Sequence, residues 1–192
     1  AIYGYREDGY YDNEAEVRSS PIYYNQPLAI IRRMVGEIKY RNLDGDPSSI
    51  SLTDRTFIGD VNPDFIFGFT NNLSFGRFDL SLFLQGVQGN DIVNMNTVWN
   101  GNIGTSKNVS EEVLAGAWMA GKDNSNATAP KPIRQFWRTL LFSERFIEDG
   151  SFVRVKNLTV GYTLKQRAVK GISSLRLALA VNNLYTFTKY SG

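Results

Sequence analysis

Apolar and polar positions alternate with a period of two along four stretches of this chain. In residues 157–164, Leu158, Val160, Tyr162 and Leu164 face one way, and Asn157, Thr159, Gly161 and Thr163 face the other. Residues 65–76 set Phe65, Phe67, Phe69, Leu73 and Phe75 against Gly68, Thr70, Asn72, Ser74 and Gly76. Residues 78–86 set Phe78, Leu80, Leu82 and Leu84 against Asp79, Ser81, Phe83 and Gln85, and the intervening Gly76-Arg77 predicts a tight hairpin. Residues 174–188 repeat the pattern, with Leu175, Leu177, Leu179, Val181, Tyr185 and Phe187 opposing Arg176, Ala178, Ala180, Asn182, Thr186 and Thr188. Alternation this long, with small polar residues on one face, predicts a tall barrel wall rather than a compact sandwich. Aromatics concentrate at the strand ends and aliphatics in the middle, as in an interfacial girdle around a lipid-facing band.

The alternation slips once. Val153 and Val155 lie on the odd-numbered face, while the apolar residues from Leu158 onward are even-numbered. A bulge near Lys156-Asn157, or a passage from loop to membrane, accounts for that shift. Residues 148–156 are therefore expected at or above the outer interface and 157–164 within the bilayer.

Between these stretches the pattern changes. Residues 1–11 read as an aromatic strand punctuated by Gly4 and Asp8-Gly9. Residues 12–34 carry mixed charges with Pro21 and Pro27 and predict an excursion outside regular pairing. A brief alternation at 35–40 leads into Asn42-Leu43-Asp44-Gly45-Asp46-Pro47, a dense turn signal. Over 88–145 the alternation disappears. Asn108 and Ser110 are placed to cap a helix running to Lys122, with Glu111 and Glu112 in its first turn. So long a stretch is foreign to a compact soluble domain but normal on the external side of an outer-membrane barrel. Residues 165–172 predict a short turn. The fold class expected is all-β: an antiparallel transmembrane β-barrel with one long external loop, 88–145, containing a short helix.

Composition narrows the chemistry. The chain has 192 residues, among them 12 Phe, 10 Tyr, 3 Trp and 17 Gly, which favours strands over helices. It has no Cys and no His, which removes Cys/His zinc sites, thiol nucleophiles and imidazole catalysis. A formal charge of +2 with scattered basic residues argues against a nucleic-acid partner. No apolar run reaches the roughly 20 residues of a membrane helix, which leaves a barrel untouched.

Candidate sites are few. Asn42, Asp44 and Asp46 occupy positions 1, 3 and 5 of an EF-hand-like loop, where oxygen ligands can converge on Ca²⁺. Pro47 stands where that loop needs Gly, Thr53 occupies position 12, and the carboxylate Asp54 comes one residue late. The set Asn42, Asp44, Asp46 and Asp54 reads as a degenerate calcium loop or as a solvated Asx-rich turn. Asn94, Asn96, Asn100 and Asn102 beside Trp99 suit sugar binding by hydrogen bonding and stacking, with Asn96, Trp99 and Asn100 the substrate-contact candidates; a polar external loop has the same composition. Glu111–Glu112 and Glu148–Asp149 read as helix-end and turn charges rather than acid–base pairs, because adjacent residues on a helix do not face each other. Trp118 and Trp137 read as packing the loop or marking an interface. Asn157, Thr159, Asn182 and Thr186 are expected to line a lumen or touch a plug. Nothing points to an enzyme.

The segment 146–164, Phe-Ile-Glu-Asp-Gly-Ser-Phe-Val-Arg-Val-Lys-Asn-Leu-Thr-Val-Gly-Tyr-Thr-Leu, closely resembles the C-terminal barrel of SusC/RagA-type TonB-dependent outer-membrane transporters. Leu175-Arg176-Leu177 followed by residues 182–192 is similar to that family's next block. Gly36-Glu37-Ile38-Lys39-Tyr40, Asp44-Gly45-Asp46, Asp54-Arg55, Ile58-Gly59 and Pro63 fall in its usual order. The resemblance spans roughly 36–192, weakest at 88–145. It implies the C-terminal part of a plugged barrel of about 22 strands, with the plug domain, the TonB box and the final strands lying outside these residues. It further implies a bacterial outer-membrane importer of oligosaccharides or peptides. The partners it implies are a SusD-like surface lipoprotein, outer-membrane lipid and, through the N-terminal part, TonB. The family's usual turn at 42–54 is closer to a proper calcium loop. The competing reading is a soluble β-sandwich that binds carbohydrate through exposed aromatics and buries a closed apolar core.

Overall fold

A computed structural model describes residues 1–20, 26–100, 108–132, 141–164, 171–172 and 174–191, with only the backbone of 98–100. The chain divides into two compact units, residues 1–60 with 93–147 and residues 61–92 with 148–191.

The first unit is built from short elements. Strands β1 (Ile2–Gly4) and β2 (Glu7–Tyr10) pair antiparallel with β4 (Thr56–Gly59) and β3 (Ile38–Tyr40) respectively. The single strand expected over 1–11 is therefore two. The chain breaks at Gly4 and Tyr5 because it runs into the 142–143 backbone. A Cβ at Gly4 would collide with the Ile58 side chain and the Phe142 carbonyl, and the Tyr5 N–H donates to that carbonyl at 2.9 Å. The expected excursion over 12–34 contains helices α1 (Glu14–Ser19) and α2 (Leu28–Met34). Asn13 caps α1 by accepting the Glu16 N–H at 2.9 Å, while Pro27 precedes α2. Tyr11, Val17 and Ile31 form a small core with Met34 and Val35 against it.

Residues 93–147 belong to this unit and carry helices α3 (Met95–Asn100) and α4 (Glu111–Ala115). Helix α4 is shorter than the expected run to Lys122. Ser110 caps it as anticipated, accepting the Val113 N–H at 3.3 Å, and Glu111 and Glu112 fill its first turn. It stops at Gly116, whose carbonyl is taken by the N–H groups of Thr128 and Ala129 at 2.8 and 3.0 Å, so the backbone turns into loop pairing. Ala117 and Ala129 close a second small core with Val109 and Val113. Trp118 is buried against Gly36, and its Nε1 donates to Asp12 at 3.3 Å.

The second unit is dominated by one antiparallel sheet. Strands β5 (Phe65–Phe75) and β6 (Phe78–Gln88) form the expected hairpin about Gly76-Arg77, with Gly76 at φ 61. Strands β7 (Asp91–Val93) and β8 (Ile147–Asp149) pair as a separate two-stranded ladder. Strands β9 (Phe152–Thr163) and β10 (Arg176–Thr188) complete the main sheet in the order β10-β9-β6-β5. The sheet is open. At about 3.3 Å per residue, eleven to thirteen residues are enough, at a tilt of about 45°, for the roughly 25 Å apolar band of an outer-membrane barrel.

Register sorts the side chains into two faces. On one, the rows Phe69–Leu84–Val155–Tyr185, Leu73–Leu80–Val160–Leu179 and Phe75–Phe78–Tyr162–Leu177 run straight across the sheet. On the other lie Gly68–Gln85–Arg154–Thr186, Asn72–Ser81–Thr159–Ala180 and Ser74–Asp79–Gly161–Ala178. The apolar face is exposed; Leu179 is 71% and Phe75 87% accessible. Aromatic pairs mark both of its ends: Phe78 with Tyr162 at one, and Tyr185 with Phe187 at the other, each with ring centres 4.7 Å apart. Among the described residues every large buried apolar side chain belongs to the first unit. The closed core that a soluble sandwich requires is therefore not built by this sheet.

The bulge expected near Lys156-Asn157 is present. Phe83 and Leu84 on β6 pair with Asn157 and Val155, so Lys156 is an extra residue in β9. On β10 the register with β9 shifts between Asn182 and Tyr185, where Asn183 takes φ 52. Asn tolerates that left-handed conformation better than most residues.

Candidate functional site

Three charged side chains stand on the polar face of the sheet: Asp79 on β6, Arg154 on β9 and Arg176 on β10. Arg176 holds Asp79 with both arms of its guanidinium, Nε reaching Oδ1 at 2.9 Å and the second nitrogen reaching Oδ2. The pair lies over Gly161, where a Cβ would meet the carboxylate and the guanidinium. That crossing explains why this strand position has no side chain. Arg154 donates from Nε to Thr186 at 2.8 Å, and its guanidinium carbon lies 5.1 Å from the centre of the Phe152 ring. Asn157 donates to Asn182 at 2.8 Å, and Thr159 donates to Asn157 at 3.1 Å. The four residues expected to line a lumen therefore share this face. Asp79, Arg154 and Arg176 each carry a sequence signal, a charge at a polar-parity position inside an alternating strand, but the pairing between strands that brings Asp79 to Arg176 does not.

The acidic turn is closed on itself. Asn42 accepts the Gly45 N–H and donates to the Asp46 carbonyl, both at 2.6 Å. Asp46 accepts from the Ser48 N–H and hydroxyl and from the Ser49 hydroxyl, which hold its carboxyl below the ordinary range. Asp44 accepts from the Asp46 N–H at 2.9 Å and from the Thr53 hydroxyl. Asp54 is fully buried and receives the N–H groups of Ser51, Leu43 and Asp44 at 2.7, 2.6 and 3.3 Å. Burial alone would raise its carboxyl; those donors outweigh burial and lower it. Ser51 and Asp54 also form a capping box on the 3₁₀ turn Leu52–Asp54. Among the described residues no three acidic groups converge as a cation site. As folded, the carboxylates of this turn accept hydrogen bonds from the loop's own donors.

The Asn/Trp segment is only partly described. Asn94 is buried and accepts the Asn96 and Thr97 N–H groups at 3.0 and 3.3 Å, so it opens α3 rather than facing a ligand. Asn96 is exposed. The side chains of Trp99 and Asn100, and all of Asn102 and Trp137, lie outside the described residues. Trp118 packs inside its unit, as expected. Glu148 accepts the N–H and hydroxyl of Ser191 at 2.9 and 2.8 Å, and Asp149 accepts the Ser151 N–H at 2.9 Å, which are structural duties.

One half-buried ion pair had no sequence signature. Glu7 takes Arg145 Nε at 2.6 Å and also accepts the Ser143 hydroxyl, 138 and 136 residues away in the chain. Burial alone would lower the Arg145 guanidinium; the Glu7 carboxylate more than offsets this and raises it. Lys39 reaches Glu16 at 2.7 Å and Asp8 at 3.6 Å within a cleft of about 420 Å³ lined also by Tyr11, Tyr40 and Arg41. These charges are consumed by one another.

No protein-family profile matches the chain. It is 36% identical over 159 residues to the TonB-dependent receptor P3 of Formosa agariphila, covering 82% of this chain and 15% of that protein. It is 27% identical over 170 residues to TonB-dependent receptor P26 of the same organism, with 82% and 16% covered. In structure it is similar to the RagAB peptide importer in its open-open state, at TM-score 0.70 and 22% identity over all of this chain and 19% of that one. A further structure of the RagAB peptide transporter gives TM-score 0.71 at 23% identity, covering 20% of that chain. The chain thus spans about one sixth of the length of the curated relatives it matches. On these likenesses and on its own motifs, the chain belongs to the SusC/RagA-type TonB-dependent receptors.

Proposed function

We propose that residues 1–192 are the C-terminal part of the barrel domain of a TonB-dependent outer-membrane importer. The sheet β5–β6–β9–β10 is then a piece of wall in a barrel of about 22 strands. The observation that carries this reading is the exposed apolar face, interrupted at Asn71, bounded at both ends by aromatic rings and backed by a polar face of Thr, Asn, Gly and paired charge. Water would not tolerate that face, whereas lipid solvates it. The β5–β6 turn Gly76-Arg77, being two residues long, is the periplasmic end, and residues 88–145 leave from the opposite, external end. Open edges on β5 and β10 pair with neighbouring strands of the complete barrel.

The protein's role is transport, not catalysis. The substrate is an oligosaccharide or a peptide, and the likeness to the RagAB peptide importer favours a peptide. A SusD-like surface lipoprotein covers the external mouth, and TonB supplies energy through parts of the protein outside these residues. Asn96, with Trp99 and Asn100, remains the external contact proposed for substrate.

The absence of native cysteine in these residues makes a labelling test direct. In outer membranes carrying the full receptor, Leu82→Cys and Leu179→Cys should react with a lipid-partitioning thiol reagent and resist a charged one. Thr159→Cys and Asn182→Cys should show the opposite preference. Equal access of the charged reagent to both sets would rule out the wall assignment.

A further inference from the structure

The polar face of the sheet carries an uncompensated cation. Of its three charges, Asp79 is engaged by both arms of Arg176, which leaves Arg154 without an acidic partner among the described residues. Arg154 is also held in place. Its Nε donates to Thr186 and its plane lies over Phe152, so two contacts orient the guanidinium before any ligand arrives. The neighbours in its row are Gly68, Gln85 and Thr186, all neutral, and the Phe83 ring lies against Gly68. The terminal nitrogens of the guanidinium, the pair that grips a carboxylate side-on, are the part left unengaged. Beside it, toward the external end, lies the row Ile66–Val87–Phe152–Thr188, apolar except for Thr188, and Phe83 stands one row inward.

We propose that Arg154 is a carboxylate-binding subsite on the lumen wall, taking an acidic group of an imported peptide beside an apolar side chain. The proposal rests on the importer reading and deepens it. A neutral wall would not discriminate charge. A single preorganised guanidinium amid uncharged neighbours does, because a half-buried cation gains most from the one counter-charge offered. Phe152 and Thr186 act as positioning residues, fixing the fork rather than touching the ligand.

The test uses the full-length receptor with its lipoprotein partner in detergent and two probes. One is a pool of pentapeptides with acidic side chains and free carboxyl termini; the other is the same pool with Gln for the acids and amidated termini. Wild type should bind the acidic pool roughly ten- to a hundredfold more tightly, the value of a charge-assisted bidentate bond. Arg154→Gln should abolish the preference while leaving amide-pool binding unchanged. Arg154→Lys should restore only part of it, since Lys lacks the fork. Heat-modifiable electrophoretic mobility identifies variants that fail to assemble, and Phe152→Leu supplies a milder change that should weaken only the acidic pool. Equal binding of both pools by wild type, or an undiminished preference in Arg154→Gln, would overturn the subsite and leave the importer standing. Binding of neither pool by wild type would overturn the peptide reading itself, and the subsite with it.

Discussion

Asn157 donates from Nδ2 to Oδ1 of Asn182, 2.8 Å away, at the last registered pair before both strands slip. The two amides clamp β9 to β10 on the polar face, one residue from the extra Lys156 and one from Asn183 at φ 52. The slip restores the two faces. Val155 and Leu158, three apart in sequence, come to lie in adjacent apolar rows because Lys156 is passed over.

Deleting Lys156 should therefore be tolerated nearly as well as substituting it. Removal of the extra residue joins Val155 directly to Asn157, and regular alternation then keeps Val153 and Val155 on the apolar face and Arg154 on the polar one. Lys156→Ala should assemble normally too. Heat-modifiable mobility of the receptor in outer-membrane extracts checks both; loss of the folded form on deletion would contradict the register described.

Gly36→Ala should destabilise the first unit by about 1–3 kcal/mol through backbone strain and overpacking. Gly36 holds φ 83, and a Cβ there would press on the Trp118 ring and the Lys131 Cβ. Trp118, 5% exposed, has no room to withdraw. Trp fluorescence during urea unfolding should report the loss; an unchanged midpoint would contradict the packing described.

Asp54 should give the turn 42–54 an acid-sensitive stability. Its folded carboxyl is depressed below the unfolded value of about 3.9. Its contribution is accordingly complete above that value and lost as pH falls through the lower folded one. Asp54→Ala should cost about 1–3 kcal/mol at pH 7 by stranding three N–H donors. It should also flatten the fall in stability below about pH 4, measured by acid titration of the unfolding midpoint.

Calcium should have little effect at this turn. With the Asp44, Asp46 and Asp54 carboxylates engaged by backbone and hydroxyl donors, millimolar Ca²⁺ or a chelator should shift the melting temperature by less than about 1 °C. A clear rise with Ca²⁺, abolished by Asp46→Asn, would mean that the loop opens to take the ion.

Much of the sheet was legible from the chain because strand alternation is a local signal. The hairpin at Gly76-Arg77, the four long strands and the slip at Lys156 follow from parity and one glycine. The first unit was not legible in the same way. Residues 1–11 looked like one strand, yet Tyr5 is drawn aside by the Phe142 carbonyl. The helix expected to reach Lys122 ends at Ala115 because Thr128 and Ala129 take the Gly116 carbonyl. Partners more than a hundred residues away, such as Glu7 and Arg145, leave no periodic trace.

By itself the sequence determined which residues alternate, and hence that the long strands have an apolar and a polar face. Side-chain direction in a strand is set by backbone geometry alone. Tertiary structure decided which strands are neighbours, so that Asp79 meets Arg176 across Gly161 while Arg154 meets no acid among the described residues. It also decided that the carboxylates of 42–54 serve their own loop, because hydrogen bonding depends on where distant donors are brought.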